Sequence, residues 1–182
     1  MNNYLNNLII YEINIFINDN NDKKNNKKSN KKYIEFLSSI IYLLIKHWIL
    51  STDYYNRTKN KAIIDSLDIK NTITLLFYPY YIQNDEFSPI FKCFNSQSLI
   101  NPKPNDSAPK SKELKELNKY LINDLLVYST KISKYGLIYL LSIIKCLILF
   151  FIKKSINKTN LSKAYLIDYL KNSEFCLFFL NL

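Results

Sequence analysis

The 182-residue chain contains one glycine, one arginine, one histidine, one tryptophan and one methionine. Each scarcity excludes something. With Gly136 as the single glycine there is no glycine-rich phosphate loop, which needs several backbone positions without a Cβ. The lone His47 has no Ser, Cys or paired carboxylate near it in sequence, so no catalytic triad is readable; a structural or helix C-terminal capping role is expected. Cys93, Cys146 and Cys176 are scattered in apolar contexts without metal-ligand spacing. Buried free thiols are expected there, not a disulfide framework or a zinc site. Asp65 and Asp68 flank apolar residues and read as helix-surface charges, not as an acid/base pair. No catalytic residue, no metal site and no cofactor is therefore expected, and the chain does not read as an enzyme.

Acidic residues are also short. Fifteen Asp and Glu face 25 Lys and Arg, a net charge of +10. Residues 101–182 carry 13 Lys and 6 acids, which is +7 of that balance. A basic chain meets polyanions, nucleic acid or anionic lipid; a solvated lysine surface is the plainer alternative. What is abundant is Lys (24), Asn (24) and Tyr plus Phe (26). These residues share AT-rich codons, whereas Gly, Arg, Ala and Pro mostly do not. The composition thus points to a strongly AT-biased genome, such as a protist mitochondrial one, and part of the lysine excess is mutational. Hydrophobic residues make up 48%, enough for one domain with a core. Neither a cleavable secretory signal nor an Arg-rich presequence is visible, which fits a protein made inside an organelle or a cytosolic one.

Taken in order, residues 8–18 alternate: Ile9, Tyr11, Ile13, Ile15 and Ile17 on one side, Glu12, Asn14 and Asn18 on the other. That period predicts a half-buried strand. Residues 19–32 are low-complexity Asn, Lys and Asp and predict a loop. Residues 33–50 predict a helix with Ile34, Leu37, Ile41, Leu44 and Trp48 on its buried stripe. A polar connector follows from 51 to 61. Residues 72–82 are β-branched and aromatic and predict a second strand, with Pro79 arguing for an edge or a bulge. The two strands would pair against the helix. Pro89, Pro102, Pro104 and Pro109 mark a connector, with 101–110 the clearest boundary.

Residues 112–154 predict a helical hairpin. Leu114, Leu117, Leu121, Leu125 and Tyr128 form one apolar stripe, with Lys112, Lys115, Glu116 and Lys119 off it. A polar break at 129–133 leads to a much more apolar helix from 137 to 152. A third helix is expected from 161 to 170, capped by Thr159 or Asn160. The apolar end, 175–182, should pack on a core or a partner. The fold class is α+β, mainly α. A three-helix C-terminal module (111–182) packs around Leu117, Leu121, Leu125, Leu137, Leu141, Ile144, Ile148 and Leu161, after a strand/helix extension (1–100) and a Pro-rich linker (101–110).

The hairpin carries a resemblance. Glu116-Leu117, Leu121-Ile122-Asn123, Leu125-Leu126-Val127, Lys131 and Leu137-Ile138-Tyr139 are spaced as in the opening helices of the bacterial-type small-subunit ribosomal protein seven family. Ala164-Tyr165, Tyr169-Leu170 and Asn172 resemble its third helix if one residue is inserted. The family's Gly-Lys-Lys-Ser turn is Ser129-Thr130-Lys131-Ile132 here, so one of its two lysines remains. The basic hairpin and further helices of the family have no counterpart before Leu182. The resemblance implies a structural protein of an organellar, mitochondrial small ribosomal subunit. Lys110, Lys112, Lys115, Lys119, Lys131, Lys134, Lys153, Lys154 and Lys158 would then neutralise rRNA phosphates. Lys131, which keeps the family's turn position, leads that set. The implied partners are small-subunit rRNA and neighbouring ribosomal proteins, with the missing half either supplied by a separate chain or lost.

A different class competes: a small membrane-associated subunit of a respiratory-chain or ATP-synthase complex. Its motivation is the run 137–152. That run falls short of the ~20 residues a span needs. Lys145 in its middle costs roughly 2.5–3.5 kcal/mol on insertion scales.

Overall fold

A computed structural model describes residues 3–19, 31–81, 92, 111–124, 131–157 and 160–172. These residues are mainly helical, with two ladders of two-residue strands, so the class is α+β and mainly α. The order is α1 (Asn3–Asp19), α2 (Lys31–Thr58), β1 (Ile63–Ile64), α3 (Ser66–Tyr81), α4 (Ser111–Asp124), β2 (Lys131–Ile132), α5 (Lys134–Ser155), β3 (Ile156–Asn157), β4 (Asn160–Leu161) and α6 (Lys163–Asn172).

Both strands expected in the first hundred residues are helices. In α1 the buried positions are Leu5, Leu8, Ile9, Glu12 and Ile13, while Ile10 and Tyr11 are exposed. That spacing is helical, and it starts at Leu5, ahead of the alternating stretch. Ile9 and Ile13, four apart, satisfy both periods, and the longer helical stripe wins, leaving Tyr11 outside. In α3 the buried residues among those described are Ser66, Ile69, Thr72 and Ile73, again at helical steps. Pro79 falls in the last turn of that helix, not on a sheet edge. The residues that do pair are Ile63–Ile64 with Lys131–Ile132 in parallel, and Ile156–Asn157 with Asn160–Leu161 antiparallel. Residues 20–30, 82–91 and 93–110 lie outside the described residues. So do most of the low-complexity stretch, the linker, Cys93, Leu125, Cys176 and the apolar 175–182.

Helix α2 runs eight residues past the expected end at Leu50. Its buried stripe continues in polar side chains, Thr52 and Asn56, that a hydrophobicity pattern does not register. Thr52 Oγ1 donates to Trp48 O at 2.7 Å, and Arg57 pairs with Asp53 one turn earlier at 2.9 Å. His47 consequently sits mid-helix and does not cap it; burial pushes its imidazole below the ordinary value. The helix stops at a Schellman motif. Lys61 N donates to Asn56 O (2.9 Å) and Asn60 N to Arg57 O (3.0 Å), with Asn60 at φ 54°. Asparagine takes the left-handed position that glycine usually fills.

The chain divides into two compact units, Met1–Leu44 with Lys145–Leu182, and Ile45–Ile144. The first holds α1, the start of α2, the end of α5, the β3–β4 ladder and α6. Tyr33, fully buried, meets Ser155 Oγ at 2.6 Å. Ser155 Oγ also lies within hydrogen-bond reach of Ile152 O, at 3.0 Å. Burial pushes the Tyr33 phenol up to about 12, partly offset by its hydrogen bond with Ser155. Glu12, 5% exposed, lies 3.9 Å from Lys145, the one cation in the middle of α5. At the end of the unit Ser162, not Thr159 or Asn160, caps α6, accepting from Tyr165 N at 3.5 Å.

The second unit holds the rest of α2, β1, α3, α4, β2 and the first part of α5. Ile45, Trp48 and Ile49, Ile64, Ile69 and Ile73, Leu114, Leu117 and Leu121, and Leu137–Leu141 make its core.

Candidate nucleic-acid interface

The lysines singled out by sequence are positioned by two devices. The first is the stripe of α4. Leu114, Leu117, Tyr120 and Leu121 are buried, and that fixes the rotation of the helix. Lys112, Lys115 and Lys119, at steps of three and four, are left exposed along one face. Glu113 is half-buried and Glu116 exposed beside them.

The second device is the junction of β2 and α5. Ile63 and Ile64 pair with Lys131 and Ile132 in parallel. Ser133 N then donates to Ile64 O (2.9 Å), extending the ladder by one bond. Each strand runs directly into a helix, so α3 and α5 begin side by side. Their starting residues are bonded to each other. Ser133 Oγ accepts from Gly136 N (2.9 Å), an N-cap for α5, and donates its proton to Asp65 Oδ1. Asp65 Oδ1 also accepts from Ser66 N (2.8 Å), while Asp68 reaches back to Asp65 N (2.9 Å), the returning half of a capping box. Asp65 and Asp68 are thus caps and not surface charges. Asp68 further accepts from Lys61 Nζ (2.5 Å) and Asn56 Nδ2 (3.1 Å). Burial pushes the Asp68 carboxyl up. The hydrogen bonds from Lys61, Asp65 N and Asn56, with the Lys61 charge, outweigh that and hold it below the ordinary value.

Gly136 belongs to this junction. It lies in the first turn of α5 without positive φ. A Cβ there would stand 2.9 Å from Ile132 Cγ2 and 3.1 Å from Ile64 O. The single glycine of the chain therefore serves close approach of helix and ladder, not a turn.

Lys131 and Lys134 project from this rigid joint, both exposed. Two helix N-termini meet there, each carrying a positive dipole end. The Asp65 carboxylate answers those dipoles at the caps, whereas α5 has no acid in its first turn. Lys134 at its first position thus adds positive charge where a helix on its own favours negative charge.

Seven of the nine predicted lysines are described. In the second unit are Lys112, Lys115, Lys119, Lys131 and Lys134; in the first are Lys153 and Lys154, in the last turn of α5. Lys110 and Lys158 lie outside the described residues. All but Lys154 are exposed. Among the described residues those six make no ion pair. Lys154 is half-buried over the Phe150 and Tyr169 rings, 5.6 and 5.2 Å from their centroids. Among the described residues no three His, Cys, Asp or Glu side chains gather as a metal site.

A second surface escaped the sequence pattern. Tyr54 and Tyr55 on α2 and Leu75 on α3 are exposed at an open groove. The signal was the pair Leu50 and Tyr54, one turn apart on the face of α2 opposite the core stripe, across the boundary between the predicted helix (33–50) and the polar connector (51–61).

No protein-family model, no curated protein and no solved structure matches the chain. The functional reading rests on the residues themselves.

Proposed function

We propose that the protein is a structural constituent of a mitochondrial small ribosomal subunit that binds rRNA through exposed lysines, and that it is not an enzyme. Helices α4, α5 and α6 then correspond to the first three helices of the small-subunit ribosomal protein seven family, with 1–100 as an extension. Small-subunit rRNA and neighbouring ribosomal proteins are its partners. The observation that carries the reading is the placement of Lys131 and Lys134. Both are exposed cations on a joint held by a ladder, two caps and a buried glycine, at the positive end of α5. Fixed cations beside a helix N-terminus suit phosphate oxygens. The Lys112, Lys115 and Lys119 row adds a second line of charge for counterion release.

The membrane reading keeps one observation in its favour. Helices α2 and α5 are each long and apolar enough to cross a bilayer. Against it, 72% of the apolar window of α5 is already buried within the protein, and Lys145 in its middle faces Glu12. Both features suit a core helix.

Sedimentation of a mild-detergent organelle lysate, with magnesium and again with EDTA, tests the choice. The protein is expected to travel with the small subunit and to shift when EDTA dissociates the particles. An EDTA-insensitive position coincident with respiratory-complex activity would overturn the ribosomal reading in favour of the membrane one.

A further inference from the structure

The groove in the second unit has an unusual combination of lining and rim. Leu50, Ser51, Tyr54 and Tyr55 of α2 and Thr72, Leu75 and Leu76 of α3 enclose about 400 Å³, open on one side. That volume lies in the range of small-ligand sites. The lining is mostly apolar, with the hydroxyls of Ser51, Tyr54, Tyr55 and Thr72 its polar groups, the last donating to Asp68 O. Tyr54 is 73% exposed and Leu75 65%, large apolar surfaces left in water at a concave place.

Charge at the neighbouring end of α2 is sorted by depth. Its acids are turned inward: the side chain of Asp53 is 9% exposed and that of Asp68 15%. The cations are turned outward: Arg57 is 49% exposed, Lys61 46%, and Lys59 is exposed with its Nζ 4.2 Å from the Tyr55 ring centroid. Arg57 and Lys61 are paired with those two acids, so among the described residues Lys59 is the cation this end of α2 offers to a phosphate, beside an aromatic, apolar cleft. Unpaired nucleic acid satisfies both halves at once, because each nucleotide brings a planar apolar face and a negative phosphate.

We propose that this groove takes an unpaired base of an RNA strand, stacked against Tyr54, with the strand's phosphate beside Lys59. The inference rests on the rRNA-binding reading and adds a single-strand site away from the lysines of α4 and α5.

The test uses the full chain and two labelled probes, a ten-nucleotide oligouridylate and an RNA duplex of equal length, with binding read by fluorescence anisotropy at fixed salt. Tyr54→Ala is expected to weaken oligouridylate binding about 5- to 150-fold, the range for losing one base–aromatic stack, and to leave duplex binding unchanged. Tyr54→Phe should bind like the parent, since it keeps the ring. Because Tyr54 is exposed, the thermal midpoint should hold, and circular dichroism checks it. Equal oligouridylate affinity for parent and Tyr54→Ala overturns the groove assignment and leaves the rRNA reading intact. A parent that binds neither probe overturns both. Loss of binding to anionic vesicles in Tyr54→Ala, with RNA binding unchanged, would give the groove to lipid and overturn the proposal.

Discussion

Gly136 and Tyr33 show how one side chain, or the lack of one, sets local energetics. At Gly136 the nearest obstacles to a Cβ are the Ile132 methyl and the Ile64 carbonyl oxygen. The methyl is a branch on the β-carbon of a residue stiff at χ1, and the carbonyl belongs to the ladder and accepts from Ser133 N, so neither yields easily. Gly136→Ala should therefore cost about 1–3 kcal/mol, as overpacking does, although alanine is the better helix former. Denaturant unfolding measures it; a stabilised variant would mean that the ladder yields. Tyr33 has a pH signature. Its phenol is raised to about 12 in the fold, against ~10 unfolded, so the fold favours the protonated form. That contribution is fully present below pH ~10 and is lost as pH rises through the folded value, about 2–3 kcal/mol in all. Tyr33→Phe should remove this part of the alkaline loss. Comparing unfolding midpoints of parent and variant between pH 9 and 11 isolates it from the other tyrosines and the lysines.

Among the elements, the paired starts of α3 and α5 are the most constrained feature. Ser133 caps one helix while donating to the cap of the other, so its loss acts twice. Ser133→Ala should destabilise by about 1–2 kcal/mol, the upper part of the range for a lost cap. Asp65→Asn keeps an acceptor and should cost less. A double-mutant cycle between them should give a coupling of about 0.5–3 kcal/mol; strict additivity would show that the bond contributes nothing. Elements also show where sequence reading succeeds and fails. The helices over 33–50, 112–124 and 137–152 were legible because Leu and Ile carry their stripes. The continuation of α2 was not, because Thr52 and Asn56 hold buried positions with their polar groups satisfied inside. The strand expected over 8–18 came from a run of isoleucines compatible with two periods, and Leu5 decides between them. The cap role of Asp65 depends on Ser133, 68 residues away, a partner that no local window contains. Of the candidate interface, the exposure of the α4 lysines followed from the Leu114–Leu121 stripe, and the hydrogen-bonded junction beside Lys131 and Lys134 did not show in the sequence.

For the whole molecule, the net charge of +10 sets the expected physical chemistry of binding. If phosphate contacts carry the affinity, the logarithm of the binding constant for an rRNA fragment falls linearly with the logarithm of salt, by about 0.9 per duplex phosphate neutralised. Lys131→Ala should weaken binding across sequences and flatten that slope by about 1. Titrations at several salt concentrations give both numbers. An unchanged slope would remove Lys131 from the interface. The same measurement on Lys153→Ala asks whether the first unit shares in binding.

The division of the chain carries a consequence for the order in which structure forms. The second unit is one continuous stretch, Ile45–Ile144, whereas the first combines Met1–Leu44 with Lys145–Leu182. During synthesis the continuous unit has all its parts first and can fold as the chain emerges. The helix holding Tyr33 must wait for Ser155, 122 residues later. Until then Tyr33 lacks its final partner and the first unit cannot complete its core.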